Sequence, residues 1–360
     1  MLQKSRYTRE RLIFLKILLY GWILFNLPAI TQLTIPQQAA LNETRPIALS
    51  GGPGTGKSVV SLWRHISNYE KDKRSLLLTY TTTLKQYLKA CCEGKNTKAA
   101  LNVGTSYRNR PCTNWSEIIV DEAQDLEIGY YMDIRQYGSV SYGADDSQIL
   151  YPNHCSKQAD LESLFPTNVS YVLNKNFRST QRIMQFARQA FPSAVISQRI
   201  IDSLNGNLGE WPVLLISNGD KYETSNSKQD EAIVQIVNSY HSDAHNIAIL
   251  VPFEKDVRVI ESVLNNRFNY SSYCGDDYYK TGHGCGRILN IHITTFKSAK
   301  GLEFDTVIIP NFHKYREICG SYNTDWNDFY VACTRARSNL YLISNYDLPN
   351  LNSVTDKQVL

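Results

Sequence analysis

The sequence carries little excess charge of either sign. Its 38 Lys and Arg against 34 Asp and Glu leave a formal net charge of +4 over 360 residues. That balance argues against blanket electrostatic coating of a polyanion and leaves room only for a local basic groove. Eight cysteines spread along such a chain do not form a dense disulfide framework. Neither Cys91-Cys92 nor Cys274 with His283-Gly284-Cys285 has convincing metal-ligand spacing, so no structural zinc is expected. No repeat and no low-complexity tract is visible. A composition of 42% hydrophobic and 20% charged residues excludes a disordered chain. The length accommodates two ordinary α/β domains or one large one.

Only one long apolar run is present. Residues Leu12 to Ile30 are nearly all apolar, broken by Lys16, Gly21, Asn26 and Pro28, and preceded by Lys4, Arg6, Arg9 and Arg11. Two readings stand for it. One is a packed helix that stops before Pro28; the other is a membrane anchor, which a basic flank followed by an apolar run outlines. Lys16 penalises a spanning helix by roughly 2.5–3.5 kcal/mol. Packing is the expectation, with no membrane partner and a cytoplasmic location.

Beyond that run, short apolar strands alternate with helical stretches. Candidate strands are Ile47–Ser50, Ser75–Thr79, Glu117–Asp121, Ser139–Gly143, Ser170–Leu173, Pro212–Ile216, Asn246–Val251, Leu289–Thr294, Thr306–Ile309 and Asn339–Ile343. Helical runs such as Ser58–Tyr69, Gln181–Phe191, Asp230–Tyr240 and Lys255–Asn265 lie between several of them. Such alternation predicts parallel sheets flanked by helices, an α/β class. A soft boundary falls at Pro152–Thr167, which is polar and holds two prolines.

The strand Ile47–Ser50 runs into Gly51-Gly52-Pro53-Gly54-Thr55-Gly56-Lys57-Ser58 and then a helical run. This is the G-x-x-x-x-G-K-S phosphate loop in its strand–loop–helix setting. Its glycines let backbone N–H groups converge on phosphate oxygens, and the following helix adds the positive end of its dipole. Lys57 suits the β- and γ-phosphates, and Ser58 offers a hydroxyl to Mg²⁺. A second apolar run ends in Asp121-Glu122-Ala123-Gln124-Asp125. The two acids can divide the work, Asp121 on Mg²⁺ and Glu122 orienting and deprotonating an attacking water. A nucleoside triphosphate and Mg²⁺ are therefore the expected ligand and metal.

Asp121-Glu122-Ala123-Gln124-Asp125 resembles motif II of superfamily 1 helicases, in the UvrD/Rep-like branch, and further motifs follow in the family's order. Leu33-Thr34-Ile35-Pro36-Gln37 resembles the Q motif, with Gln37, or alternatively Gln38, on the adenine edge. Leu78-Thr79-Tyr80-Thr81-Thr82 is similar to motif Ia, and Gly143-Ala144-Asp145-Asp146-Ser147-Gln148 to motif III, in which the glutamine senses the γ-phosphate. Asn176-Phe177-Arg178-Ser179 resembles motif IV, Thr295 to Phe304 motif V, and Tyr330 to Arg337 motif VI.

The resemblance implies two RecA-like P-loop NTPase domains, with parallel sheets flanked by helices and ATP between them. The expected division is an apolar helix at 1–30, a first domain at 31–165, a second at 166–350 and a tail at 351–360. It places Arg178 and Arg335 on the γ-phosphate, Phe177 near the adenine, and Gly301 and Glu303 among the nucleotide contacts, with Glu303 at the ribose. Thr79, Tyr80, Thr81, Tyr151, Thr295 and Lys297 become candidate contacts to a nucleic-acid strand. Tyr80 reads equally well as core, and Lys297 as a solvated side chain.

The implied activity is ATP-driven translocation or helicase action on single-stranded nucleic acid, DNA favoured over RNA, with 3′ to 5′ polarity. The rival expectation is an ATP-gated nucleic-acid-binding or partner-regulated subunit that hydrolyses ATP without unwinding. The short spacings between motifs leave little room for the accessory domains of larger relatives. No nuclease signature is present, so strand cleavage would need a separate nuclease or accessory protein.

Overall fold

Six short segments build the first unit, the central β2 and β4 rich in Leu, Ile and Val and buried on both faces: β1 (Ile47–Ser50), β2 (Ser75–Thr79), β3 (Val103–Thr105), β4 (Glu117–Val120), β5 (Ser139–Ala144) and β6 (Val169–Val172). In the computed structural model they pair in the order β3-β2-β4-β5-β1-β6, every pair parallel. The structure describes residues 27–149, 153–192, 198–202, 204, 206–220, 226–275, 286, 288–319 and 325–360. Alternation along the strands sorts side chains between two layers. Leu77 and Ile119 pack with Leu62, Ile66, Leu84 and Leu88 on one face. Leu76, Leu78, Ile118 and Val120 pack with Tyr131, Ile134 and Tyr142 on the other.

The helices that matter for the site are α1 (Ile35–Asn42), α2 (Lys57–Glu70) and α3 (Thr82–Glu93). Thr34 and Gln37 form a capping box at the start of α1, and Thr81 caps α3 by accepting from the Leu84 amide.

The second unit has seven parallel strands: β7 (Val213–Ile216), β8 (Ile247–Val251), β9 (Ser271–Tyr273), β10 (Ile291–Thr295), β11 (Phe304–Ile309), β12 (Ala336–Ser344) and β13 (Asp356–Val359). Their order is β13-β7-β12-β11-β8-β10-β9. Helices α4 (Gln181–Ala190), α5 (Ser227–Tyr240), α6 (Glu254–Leu264) and α7 (Trp326–Cys333) accompany them. Leu214, Leu250, Val307 and Leu342 face a layer holding Phe186, Phe312 and Phe329. Leu215, Ile249, Ile293 and Ile308 face one holding Ile233, Val257 and Leu264. Two parallel sheets, each covered on both faces, form the RecA-like α/β architecture expected.

The expected boundaries need correction. β6 pairs with β1 in register from Ile47↔Val169 to Ser50↔Val172, so the first unit runs past residue 165 to residue 172. Residues 356–359 are not a tail, because β13 pairs with β7 as an edge strand of the second sheet. The strands absent from the sequence reading, β3, β9 and β13, are three or four residues long and lie at sheet edges. An edge strand has one neighbour and needs no continuous apolar run, and all four residues of β13 are exposed. Most of the apolar run at 12–30 lies outside the described residues. Residues 27–29 have no regular structure, and the Trp63 indole donates to the Pro28 carbonyl. No helix among the described residues is long and apolar enough to cross a membrane.

Candidate active site

Because all strands of a unit are parallel, the loops after β1, β4 and β5 emerge at the same edge of the first sheet, where α/β folds place their ligands. The loop after β1 turns into α2 through Gly56, whose φ of 87° is left-handed. A Cβ there would stand 2.4 Å from the Gln37 Nε2, so only glycine permits that close approach. Lys57 is buried, and its ammonium donates to the carbonyls of Gly51 (2.7 Å) and Gly52 (3.0 Å) and lies 3.5 Å from the Asp145 carboxylate.

A cavity of about 310 Å³ opens beside this loop and is lined by both units. The first contributes Gln37, Gly54, Thr55, Gly56, Lys57, Ser58, Glu122 and Gln148, together with the apolar side chains of Leu33, Leu62 and Leu88 and the ring of Tyr87. Gly301, Glu303 and Arg337 come from the second unit, with Phe177 and Arg178 from the connection between the two. Gly51, Gly52 and Pro53 are not among the lining residues; the first two act through their carbonyls on Lys57.

The paired acids stand just past β4, and their environments push them apart. Burial, with the Glu122 charge beside it, raises Asp121 to about 7, against the opposing pull of the Ser58 hydroxyl and Lys57. Burial would raise Glu122 as well, but Lys300, Lys57, the Gln124 amide and Arg335 together hold it below its ordinary value. The buried Asp121 Oδ2 has no hydrogen-bond partner, while the Ser58 hydroxyl bonds the same carboxylate. A partnerless carboxylate oxygen beside a hydroxyl is an oxygen donor set that suits Mg²⁺. Among the described residues there is no separate cluster of three or more His, Cys, Asp or Glu that would hold a metal.

Gln124 joins the two loops: its amide donates to Glu122 (2.7 Å) and its carbonyl accepts from the Asp145 N–H (3.1 Å). Asp145 in turn accepts from the Gln148 amide at 2.5 Å. From the second unit, Arg335 reaches across to the Gln148 Oε1 (2.9 Å), while also donating to the Val331 and Leu302 carbonyls. Burial and the nearby Arg178 lower Arg335 to about 9. Arg178 pairs with Glu303 at 3.0 Å. Burial tends to raise Glu303, but Arg178 and Arg337 keep it below its ordinary value. Positive groups from separate segments thus surround one cavity, an arrangement that can stabilise charge on a phosphoryl group.

Several expected contacts sit differently. Both ends of the Gln37 side chain are engaged, with the Thr34 N–H (2.8 Å) and the Thr55 carbonyl (2.9 Å), while Gln38 bonds the Leu33 carbonyl and does not line the cavity. Thr79, expected to touch a strand, is fully buried at the end of β2, where neighbours on both sides leave it no surface. Thr295 is 6% exposed, and its hydroxyl bonds Ser298, so its side chain too is mostly withdrawn. Thr81 is partly exposed but spends its hydroxyl on the cap of α3. Tyr80 is half-buried and packs edge-on to Tyr107. Lys297 lies 3.9 Å from Asp328. Tyr151 lies outside the described residues.

Sequence reasoning assigned no role to Gln124, Asp145, Lys300 or Arg337, although each falls inside a quoted motif. It also passed over Tyr107, which is 61% exposed beside Tyr80 and Tyr130. Lys85 there is lowered by burial and by the nearby charges of Lys89 and Arg108, which places three cations together.

Fold and site together define a two-unit protein of the P-loop class, with its cavity at the joint. Residues 279–347 match the family described as the UvrD-like helicase C-terminal domain. A protein of Acanthamoeba polyphaga mimivirus named a putative ATP-dependent DNA helicase is 28% identical over 254 residues, covering 64% of this chain and 35% of that protein. The chain therefore spans about a third of that relative's length. Among solved structures, the PRRSV helicase is 14% identical at a TM-score of 0.43, covering 86% of this chain and 54% of the other. The C-terminal domain of a possible DNA helicase from a Lactobacillus is 20% identical at a TM-score of 0.35, covering 50% of this chain and 98% of the other. Likeness that loose says nothing of function. In its motifs and in residues 279–347 the chain is similar to UvrD-like superfamily 1 helicases.

Proposed function

We propose that the chain is an ATP-driven motor on single-stranded nucleic acid, DNA in preference to RNA, moving 3′ to 5′. The observation that supports it most is the joint itself: the phosphate loop and Glu122 of the first unit share one cavity with Arg178 and Arg337, and Arg335 of the second unit donates to Gln148, which lines it. The ATP phosphates lie along the loop amides with Lys57 on the β- and γ-phosphates, and the base lies near Gln37 and Phe177. Ser58 and Asp121 hold Mg²⁺, which when bound offsets the negative charge of the phosphates. Glu122, kept ionised, takes the proton of the attacking water, a contribution of about 10²–10⁴-fold. Arg335 and Arg178 stabilise the charge that develops on the transferred group, and an arginine so placed is worth about 10³–10⁵-fold.

Because Arg335 belongs to the second unit and Arg178 to the connection leading into it, ATP draws the units together and hydrolysis releases them, one cycle of closure per ATP. The strand runs past Tyr80, Tyr107, Lys85, Lys89 and Arg108, with Thr81 and Lys297 beside it. Aromatic stacking and phosphate contacts of this kind are sequence-tolerant. Any cleavage of the strand comes from a separate nuclease partner. A second reading is an ATP-gated clamp that hydrolyses without unwinding. The absence of an inserted accessory domain among the described residues favours it over strand separation.

ATP turnover with and without single-stranded DNA, single-stranded RNA and blunt duplex decides between them, with Glu122→Gln controlling for contaminants. Stimulation by one single-stranded polymer, lost in the variant, supports the motor. Slow turnover indifferent to every polymer overturns it in favour of a partner-activated switch.

A further inference from the structure

Lys300 is 1% exposed, lies in the turn between β10 and β11, and is not among the residues lining the cavity. Its ammonium leaves the second unit altogether. It donates to both carboxylate oxygens of Asp125, at 2.7 Å each, and to the main-chain carbonyl of Gln148. An ammonium has three donors, and here three acceptors of the first unit meet it, with the Glu122 carboxylate 3.8 Å away. The acceptors belong to two different loops: Asp125 follows Glu122 after β4, and Gln148 follows Asp145 after β5.

We propose that Lys300 is a positioning residue by which the second unit locks these two loops of the first into one arrangement, so that the hydrolytic side chains are held firmly in register when the units are closed. The inference rests on the ATPase reading above for its consequence, but not for its geometry. Within the first unit, Gln124 joins the loops through Glu122 and the Asp145 N–H. Lys300 adds a second tie that exists only across the joint.

The rest of its turn is keyed to the same surface. The Thr83 hydroxyl donates to the Ser298 carbonyl, and Gly301 lies against Leu84. Opening the joint withdraws the ammonium and leaves Asp125, 1% exposed in the closed form, without its cation. The Gln124 tie then remains between the two loops, and Glu122 and Gln148 are held less firmly to a common reference.

Hydrogen exchange across residues 121–126 and 145–149, read beside kcat and KM for ATP, tests this in the full chain. The variants are Lys300→Met/Asp125→Asn, which removes the pair without stranding a buried charge, and Asp125→Asn alone. In the double variant, exchange in both loops should rise by about tenfold or more. Its kcat should fall about a hundredfold, as for a misplaced catalytic group, while KM moves by less than about threefold. Asp125→Asn alone should loosen 121–126 and leave 145–149 protected, because the bond from Lys300 to the Gln148 carbonyl remains; a merely structural ion pair predicts no such split.

Parent-like exchange in both loops of the double variant overturns the proposal. So does equal loosening of both loops in Asp125→Asn, which decides the question if the double variant fails to fold. A parent without ATP turnover would refute the ATPase reading while leaving the exchange result to judge Lys300.

Discussion

Gly301→Ala tests how tightly the two units are fitted. Gly301 has a φ of 80°, and a Cβ built on it would stand 2.4 and 2.8 Å from the two methyl carbons of Leu84 and 3.0 Å from its Cγ. Leu84 belongs to α3 of the first unit and is 1% exposed, so it cannot swing into solvent. Two costs follow. The left-handed backbone costs an alanine about 1–2 kcal/mol and acts within the second unit alone. Overpacking against Leu84 costs about 1–3 kcal/mol and acts on the joint. A joint penalty of that size shifts closure, and with it nucleotide affinity, by about 5–150-fold.

Titration of a fluorescent ATP analogue measures the second term, and urea unfolding of the same variant measures the first. Leu84→Ala by itself should cost about 2–5 kcal/mol for the cavity it leaves. Its space receives the new methyl, so the double variant should be better than the sum of the singles by about 1–3 kcal/mol. Parent-like nucleotide affinity in Gly301→Ala, or strict additivity in the cycle, would refute the fit described here.

Arg335→Lys keeps a cation but not the reach to Gln148, and kcat should drop by about 10³–10⁵-fold in steady-state assays; a loss under tenfold would remove Arg335 from the transition state. Tyr107→Ala should weaken single-strand binding by about 1–3 kcal/mol, equally on homopolymer and mixed sequence; anisotropy titrations showing no change would move the strand elsewhere. His292 is fully buried, and burial lowers it to about 4, so its proton is taken up mainly on unfolding. Its contribution is intact above the unfolded value near 6.5 and is lost as pH falls toward 4. Between pH 7 and 5 the parent should therefore lose about 2 kcal/mol more stability than His292→Asn. Parallel urea-derived curves for the two proteins would contradict that.

Much of the site was legible because its parts are local. A phosphate loop is contiguous, with glycines, lysine and serine at set offsets between a strand and a helix, and β1 and α2 fall where the pattern put them. Asp121 and Glu122 were readable for the same reason, since an apolar run ending in two acids marks the end of a buried strand. Of the residues taken from the motif order, Gln148 and Arg178 line the cavity, while Arg335 stands behind it on Gln148. Spacing alone could not tell that β6 joins the first sheet, or that Asp356–Val359 forms an edge, because pairing is a choice of neighbour and not of composition.

Nor could it tell that Thr79 is buried where a strand contact was expected, since the same small hydroxyl suits either place. The ties Gln124–Asp145, Asp145–Gln148 and Lys300–Asp125 depend on β4 and β5 being adjacent and on a turn of the second sheet entering the first unit. Local spacing along the chain determined which groups are candidates to meet phosphate and water. Only the packing of two sheets decided which distant charges share one buried space, because the strength of a charge pair depends on separation and burial, and neither is written in sequence distance.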